Sequence, residues 1–306
     1  MSQHLESCHA GVMRILRIAF TACCTIGATA AAQDLKIGGA GPLIGTMEML
    51  ADTYNKAHPG SRVEVVPRKN NKAISMGTKK GIENGINGTY EGVPFIGFSS
   101  EHLNDAQRKA GGQELELARV ALVFVVSAKN APVDNITTQQ VIDIYSLKMR
   151  EWRPGLPVRL VRRPLKESDN EILMTNIPQL RPLIVDLLDP NRESERGLMP
   201  PLNDAQDSAD YIEERLAPHP GAFGTSSMNQ IITENRALKP LKLDGIEPST
   251  VNVVNGSYRL YKPVLLITGR NVTPEMRDFI AFVQTKAGRD IFVKTGHAIM
   301  GDAGKR

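Results

Sequence analysis

Cysteine is scarce in this 306-residue chain and lies all at one end: Cys8, Cys23 and Cys24 precede residue 25. Beyond that point disulfides and thiolate metal sites are excluded. Aromatic residues make up only 5% of the chain, with a single tryptophan. No basic stripe interleaved with stacking side chains is present, so nucleic acid is not an expected partner. After the N-terminal region no run of about 18 apolar residues occurs, which leaves no further segment able to cross a bilayer as a helix. A strong charge bias is missing too: 37 Lys and Arg stand against 33 Asp and Glu, a formal +4. Setting aside residues 1–32, which hold Arg14, Arg17 and Glu6, leaves +3. So small an excess is compatible with an anionic ligand and decides little more. The chain also lacks Gly-x-Ser-x-Gly, His-Glu-x-x-His and a late cysteine nucleophile, while His58, His102, His219 and His297 read as isolated surface or core residues. An enzyme is not expected.

What is present begins with an export pattern. Arg14 and Arg17 supply positive charge, residues 18–28 an apolar stretch, and Ala30-Ala31-Ala32 an A-x-A site before Gln33. This order predicts a signal peptide over 1–32, cleaved near Ala32, and a periplasmic protein. Phe20-Thr21-Ala22-Cys23 loosely matches a lipobox, but Phe in place of Leu and Arg17 inside the apolar stretch disfavour a lipid anchor on Cys23. The remaining length of about 270 residues suggests two domains.

From Asp34 onward short β-branched runs alternate with helical stripes, the α/β pattern. Strands are predicted over 35–38, 62–66, 95–98, 158–161, 221–224, 241–243 and 263–268. The run 118–127, ARVALVFVVS, is continuous enough for a strand buried on both faces and passing between lobes. Helices follow from Leu43, Met47, Leu50 and Tyr54, from Ile82 and Ile86, over 137–145, from Glu171 toward Pro178, and from Thr273-Pro274-Glu275 with Met276, Phe279, Ile280 and Val283 on one face. Residues 68–72 and 189–207 read as loops, and Asn255-Gly256 as a turn.

Several turns between strand and helix have chemistry suited to an anion. Gly38-Gly39-Ala40-Gly41-Pro42 opens a helix with free N–H groups at its positive end, which binds anions without a charged side chain; the same residues also suit a plain tight turn. Gly77-Thr78-Lys79-Lys80-Gly81 repeats the arrangement, Thr78 being able either to cap the helix or to offer its hydroxyl. Lysines in a first helical turn oppose the dipole, and they are explained by a nearby anion or by solvation. Ser99 and Ser100 end the third strand as a further hydroxyl pair.

With these turns in hand, the chain resembles the phosphate-binding proteins of bacterial phosphate ABC transporters over some 260 residues. The likeness runs through Gly39-Ala40-Gly41 with His58-Pro59-Gly60, Gly77-Thr78 with Gly81-Ile82, and Ile96-Gly97-Phe98-Ser99-Ser100. It continues through Trp152, Val161-Arg162-Arg163-Pro164, Gly221-Ala222-Phe223-Gly224, Leu243-Asp244-Gly245 with Pro248, and Gly256 with Tyr258. The resemblance implies a two-lobed type II periplasmic-binding-protein fold, each lobe a mixed sheet flanked by helices, with the ligand cleft at the hinge. Lobe one would comprise 33–125 and 263–306, lobe two 126–262. It implies a monomer that captures a tetrahedral oxyanion, inorganic phosphate first, for an ABC transporter permease, with no cofactor and no metal. The implied ligand contacts are Ala40, Gly41, Pro42, Leu43, Thr78, Ser100, Arg163, Ser168 and its neighbour Asp169.

The chain departs from the family at Phe95, where an Asp is usual, at Glu101 after the serine, and at Glu167-Ser168-Asp169-Asn170-Glu171 in place of Ser-Gly-Thr. Ser168 and Glu171 have the spacing of a capping box. Asp169 brings negative charge toward the anion: at an effective dielectric of about 20, two unit charges ~4 Å apart repel by roughly 4 kcal/mol. Either Asp169 turns away or phosphate is not the ligand. Arg163 either clamps the oxyanion or serves a structural ion pair with Glu167 or Asp169. An orphan sensor or envelope accessory protein with altered anion specificity is the alternative function.

Overall fold

The computed structural model describes residues 33–130, 133–165, 167–188 and 219–300; the expected signal peptide, the lipobox-like stretch and the loop over 189–207 lie outside them. The alternation of strand and helix signals becomes a ten-stranded mixed sheet. Its main strands are β1 (Gln33–Gly39), β2 (Ser61–Val65), β3 (Val93–Ser99), β4 (Gln113–Ser127), β5 (Arg159–Leu160), β6 (Ala222–Ser227) and β7 (Tyr261–Thr268). They lie in the order β5-β6-β4-β7-β3-β1-β2. β1 is parallel to β2 and β3, whereas β7 runs antiparallel to both β3 and β4 and β6 antiparallel to β4.

Helices cover the sheet because each carries one apolar stripe. α1 (Ile44–Ala57) buries Met47, Leu50 and Tyr54. α7 (Pro274–Gln284), near the chain's end, packs on its beginning and buries Met276, Phe279 and Val283. The Tyr54 ring meets Phe279 and Phe282 edge-on at 5.4 and 5.3 Å. α2 (Thr78–Asn87) lies on β1, β3 and β7. The remaining helices used below are α3 (Thr138–Tyr145), α4 (Ser168–Asn176), α5 (Leu180–Leu187) and α6 (Met228–Thr233).

Two large apolar cores result, beside a small cluster of Ile82, Leu103, Leu265 and Ile267. One gathers Leu35, Ile37, Leu50, Ala118, Val264 and Phe279; the other gathers Leu122, Val125, Ile144, Leu173, Phe223 and Leu260. β4 and β7 run from one core into the other, changing core between Ala118 and Ala121 on β4. The register of β7 against β4 slips by one residue between Val264 and Leu265. A bulge of this kind sharpens the local bend and twist where the pair leaves one core.

Some elements differ from expectation for local reasons. The stretch 68–72 is a small hairpin, Arg68–Lys69 against Lys72–Ala73, turned by Asn70 and Asn71 at φ 50° and 61°. Asparagine tolerates that left-handed backbone, so an Asn-Asn pair closes the turn. Asn255-Gly256 turns the chain out of a short helix, Thr250–Val254, with Gly256 at φ 78°. β4 begins at Gln113, five residues before its continuous apolar run.

Candidate ligand-binding site

Four turns open on one cavity of about 1200 Å³, lined among others by Gly41, Pro42, Thr78, Ser100, Arg163 and Ser168. Three side chains expected at the anion do not line it. Those of Ala40 and Leu43 belong to the first core, because the turn directs them inward beneath the helix start. Asp169 is fully buried in an ion cluster described below.

The first turn leaves β1 through Gly39, where an added Cβ would lie 1.8 Å from the Phe98 carbonyl oxygen. A glycine is what allows β1 and β3 to carry their ends so close together. A 3₁₀ turn, Gly41–Leu43, follows with Pro42 in its first positions, and α1 begins at Ile44 with no side chain capping either start. Ser75 ties this turn to the next: its hydroxyl donates to the Gly39 carbonyl at 3.2 Å and accepts from the Gly77 N–H at 3.0 Å. α2 is capped by Gly77 at φ 82°, not by Thr78. Thr78 is thereby left as a first-turn hydroxyl on the cavity wall. Lys79 and Lys80 are exposed at the rim, Lys80 paired with Glu83 at 3.6 Å.

At the third turn the two serines separate in role. Ser99 closes its own loop, donating to the Glu101 carbonyl at 2.6 Å and accepting from the Glu101 N–H at 2.9 Å. Ser100 alone lines the cavity, and Glu101 beside it stands in the cleft with no ion-pair partner among the described residues. The low-dielectric walls around Glu101 raise its carboxyl above the usual range despite Lys262 nearby. Phe95, where the family has an acid, is fully buried in β3 against Tyr90.

The fourth turn departs furthest from expectation. α4 starts at Ser168 with Glu167 in the cap position and no side-chain cap bond, so the Ser168–Glu171 capping box does not form. Asp169, one residue further, turns under the cavity floor. It accepts from the Thr225 hydroxyl at 2.6 Å, pairs with Arg163 Nε at 3.0 Å and with Lys262 Nζ. Burial alone would push its carboxyl up, but Arg163 and Lys262 hold it well below the usual carboxylate range. Arg163 Nε also donates to the Thr225 hydroxyl and Nη2 to the Thr225 carbonyl, both at 3.2 Å, while Nη1 stands 3.6 Å from Glu167. Its backbone carbonyl accepts from Asn170 Nδ2 at 3.1 Å. Of the five guanidinium N–H groups this leaves donors for a ligand, on a side chain fixed from below. Arg163 is therefore a structural ion pair that also lines the cavity.

Among the described residues the charges of the lining balance. Lys72, Lys79, Lys80, Arg163 and Lys262 face Glu48, Glu83, Glu101, Glu167 and Glu234. Arg68 pairs with Glu48 at 3.2 Å, and Arg236 with Glu234. Burial raises the Glu167 carboxyl, with Arg163 working against it. The uncapped turns carry positive ends into the cavity without adding net charge.

Sequence reasoning missed Lys262, Thr225 and Gln230, while Glu167 stands where it was expected, beside Arg163. A signal existed for Lys262, a lone cation beside Pro263 at the head of an apolar strand. Thr225 and Gln230 carry no such mark: the pairing of β6 with β4 sets Thr225 where it meets Asp169, and Gln230 follows on α6 at the cavity.

Comparison with known proteins agrees with this fold. A family model described as a PBP superfamily domain matches residues 26–287. The phosphate-binding protein PstS of Bacillus subtilis is 21% identical over 265 residues, which cover 85% of this chain and 78% of that protein. PstS of Borreliella burgdorferi is 20% identical over 273 residues, 86% of this chain and 88% of that one. Among solved structures, a Clostridium perfringens protein assigned to the phosphate ABC transporter substrate-binding proteins, with phosphate bound, superposes with a TM-score of 0.68 at 22% identity, covering 87% of this chain and 99% of its own. An ABC-type phosphate transport receptor from Vibrio cholerae gives 0.58 at 20% identity over 87% and 99%. These neighbours have the same two-lobed mixed α/β fold, and with a family model spanning most of its length the chain belongs to the PBP superfamily.

Proposed function

We propose that the protein is an exported, monomeric solute-binding protein which captures a tetrahedral oxyanion, phosphate foremost, and delivers it to an ABC transporter permease. The observation that carries this reading is the convergence of uncapped turns at Gly41-Pro42, Thr78 and Ser168 with Ser100 and Arg163 on one cavity. Backbone N–H groups and hydroxyls replace the hydration of an oxyanion, and a guanidinium held from below adds charge-assisted donors. The names of the relatives and the bound phosphate of one neighbour support phosphate as the first candidate. In this reading 33–125 and 263–306 form one lobe and 126–262 the other, with periplasmic location following from the N-terminal signal pattern. Among the described residues no helix is long and apolar enough to cross a membrane. The protein acts by binding, not by catalysis.

The balanced lining supports a second reading, a sensor or accessory protein of the envelope with altered anion preference, because Glu101 and Glu167 disfavour a dianion. Calorimetric titration of ligand-stripped protein with phosphate, sulfate, phosphonate and molybdate separates the two. Phosphate binding more tightly than the rest is the expected result; preference for a singly charged anion, or no binding, favours the second reading.

A further inference from the structure

Resting on the reading of the cleft as an oxyanion site, we propose that Gln230 is a further ligand-binding residue, whose side-chain amide donates to the oxyanion held beside the Gly41-Pro42 turn. None of the four anion turns contains it. Gln230 lies in the middle of α6, lines the cavity, and is only 2% exposed. Its Nε2 is buried without a hydrogen-bond partner among the described residues. Buried donors are paired in folded proteins with few exceptions, and an unpaired amide on a residue that lines a cavity can turn its donor toward what fills that cavity.

The helix that carries this amide is held from both sides. Its neighbour Asn229 donates from Nδ2 to the Pro42 carbonyl, binding α6 to the turn that carries Gly41 and Pro42. Thr233, three residues on and therefore on the same helix face, stands so close to Gly45 that an added Cβ there would meet its hydroxyl at 3.0 Å. Gln230 thus sits between two anchors on the segment that begins α1, and little conformational freedom remains to be lost when a ligand arrives. A neutral amide also suits this cleft. It gives a donor without disturbing a lining in which five cations already face five carboxylates.

A donor kept without a partner weakens the free protein and strengthens the complex, so the two effects separate in one variant. Gln230→Leu keeps much of the volume and removes the amide. Melted free of ligand, it should be as stable as the wild type or more so, while calorimetry with inorganic phosphate should show affinity reduced about 10-fold or more. Gln230→Glu, which places a carboxylate where the amide was, should bind phosphate more weakly still. Wild-type protein that titrates no oxyanion would overturn the reading of the cleft itself. Wild-type binding with Gln230→Leu within about twofold of it overturns only the role of Gln230. A ligand-free Gln230→Leu protein that melts well below the wild type also overturns it, since the amide would then already be held by the protein or by bound water.

Discussion

Among the described residues, the Asp169 carboxylate is bonded by Arg163, Lys262 and Thr225. The sequence marks Asp169 as a charge that repels a dianion; the structure makes it the buried counter-ion of Arg163 and Lys262. Nothing local reveals this, because Thr225 and Lys262 come from β6 and β7, far along the chain. The consequence for mutation is reversed accordingly. Asp169→Asn leaves two buried cations without their shared anion, and removing one member of a buried ion cluster costs about 3–5 kcal/mol. Urea unfolding should show that loss as a lower midpoint with an unchanged slope. A midpoint equal to the wild type would mean that Asp169 is not paired as described.

Among the elements, those with a strong apolar period are where the sequence places them: α1 on Met47, Leu50 and Tyr54, α7 on Met276 and Phe279, and β4 on its unbroken run. Turns and caps were less legible, because several side chains can satisfy a helix start and only tertiary packing selects one. Thr137 forms the capping box with Gln140 that its spacing suggests, accepting from the Gln140 N–H at 3.1 Å and bringing the Gln140 side chain back to the Thr137 N–H at 2.9 Å. Ser168 has the same spacing to Glu171 and forms no such box. The difference follows from Asn170 and Asp169, whose bonds to Arg163, Pro164 and Thr225 set the path of the chain before α4. Thr137→Ala should therefore destabilise the protein by about 1 kcal/mol, while Ser168→Ala should cost less than about 0.5 kcal/mol and weaken oxyanion binding. Parallel urea unfolding curves check the first pair of values, and equal losses would contradict the assignment of the α4 cap.

For the molecule as a whole, His297 supplies an internal pH probe. It is fully buried on a short strand beside β4, its Nδ1 meets the Thr295 hydroxyl at 3.0 Å, and its Nε2 has no partner among the described residues. Burial lowers its pKa to about 4. The folded protein then keeps the ring neutral while the unfolded chain takes up a proton below about pH 6.5. Stability is complete above that value and falls as the pH drops toward 4, by up to about 3 kcal/mol. His297→Gln should flatten this part of the stability profile in urea unfolding between pH 4 and 7. A variant with the same slope as the wild type would show that His297 is charged in the fold.

The passage of β4 between two cores was legible in its unbroken run over 118–127, and a cleft where strands change core is the expected place for a ligand. What a sequence could not supply is whether Arg163 faces that cleft, since the same residue also serves Asp169 and Glu167. Calorimetric titration of ligand-stripped wild type and Arg163→Ala with inorganic phosphate tests this directly. The expected result is one site per chain in the wild type and affinity lower by at least ~30-fold in the variant, the loss of a charge-assisted pair being about 2–5 kcal/mol. Phosphate heats that are absent from the wild type, or unchanged by removing Arg163, would contradict the account.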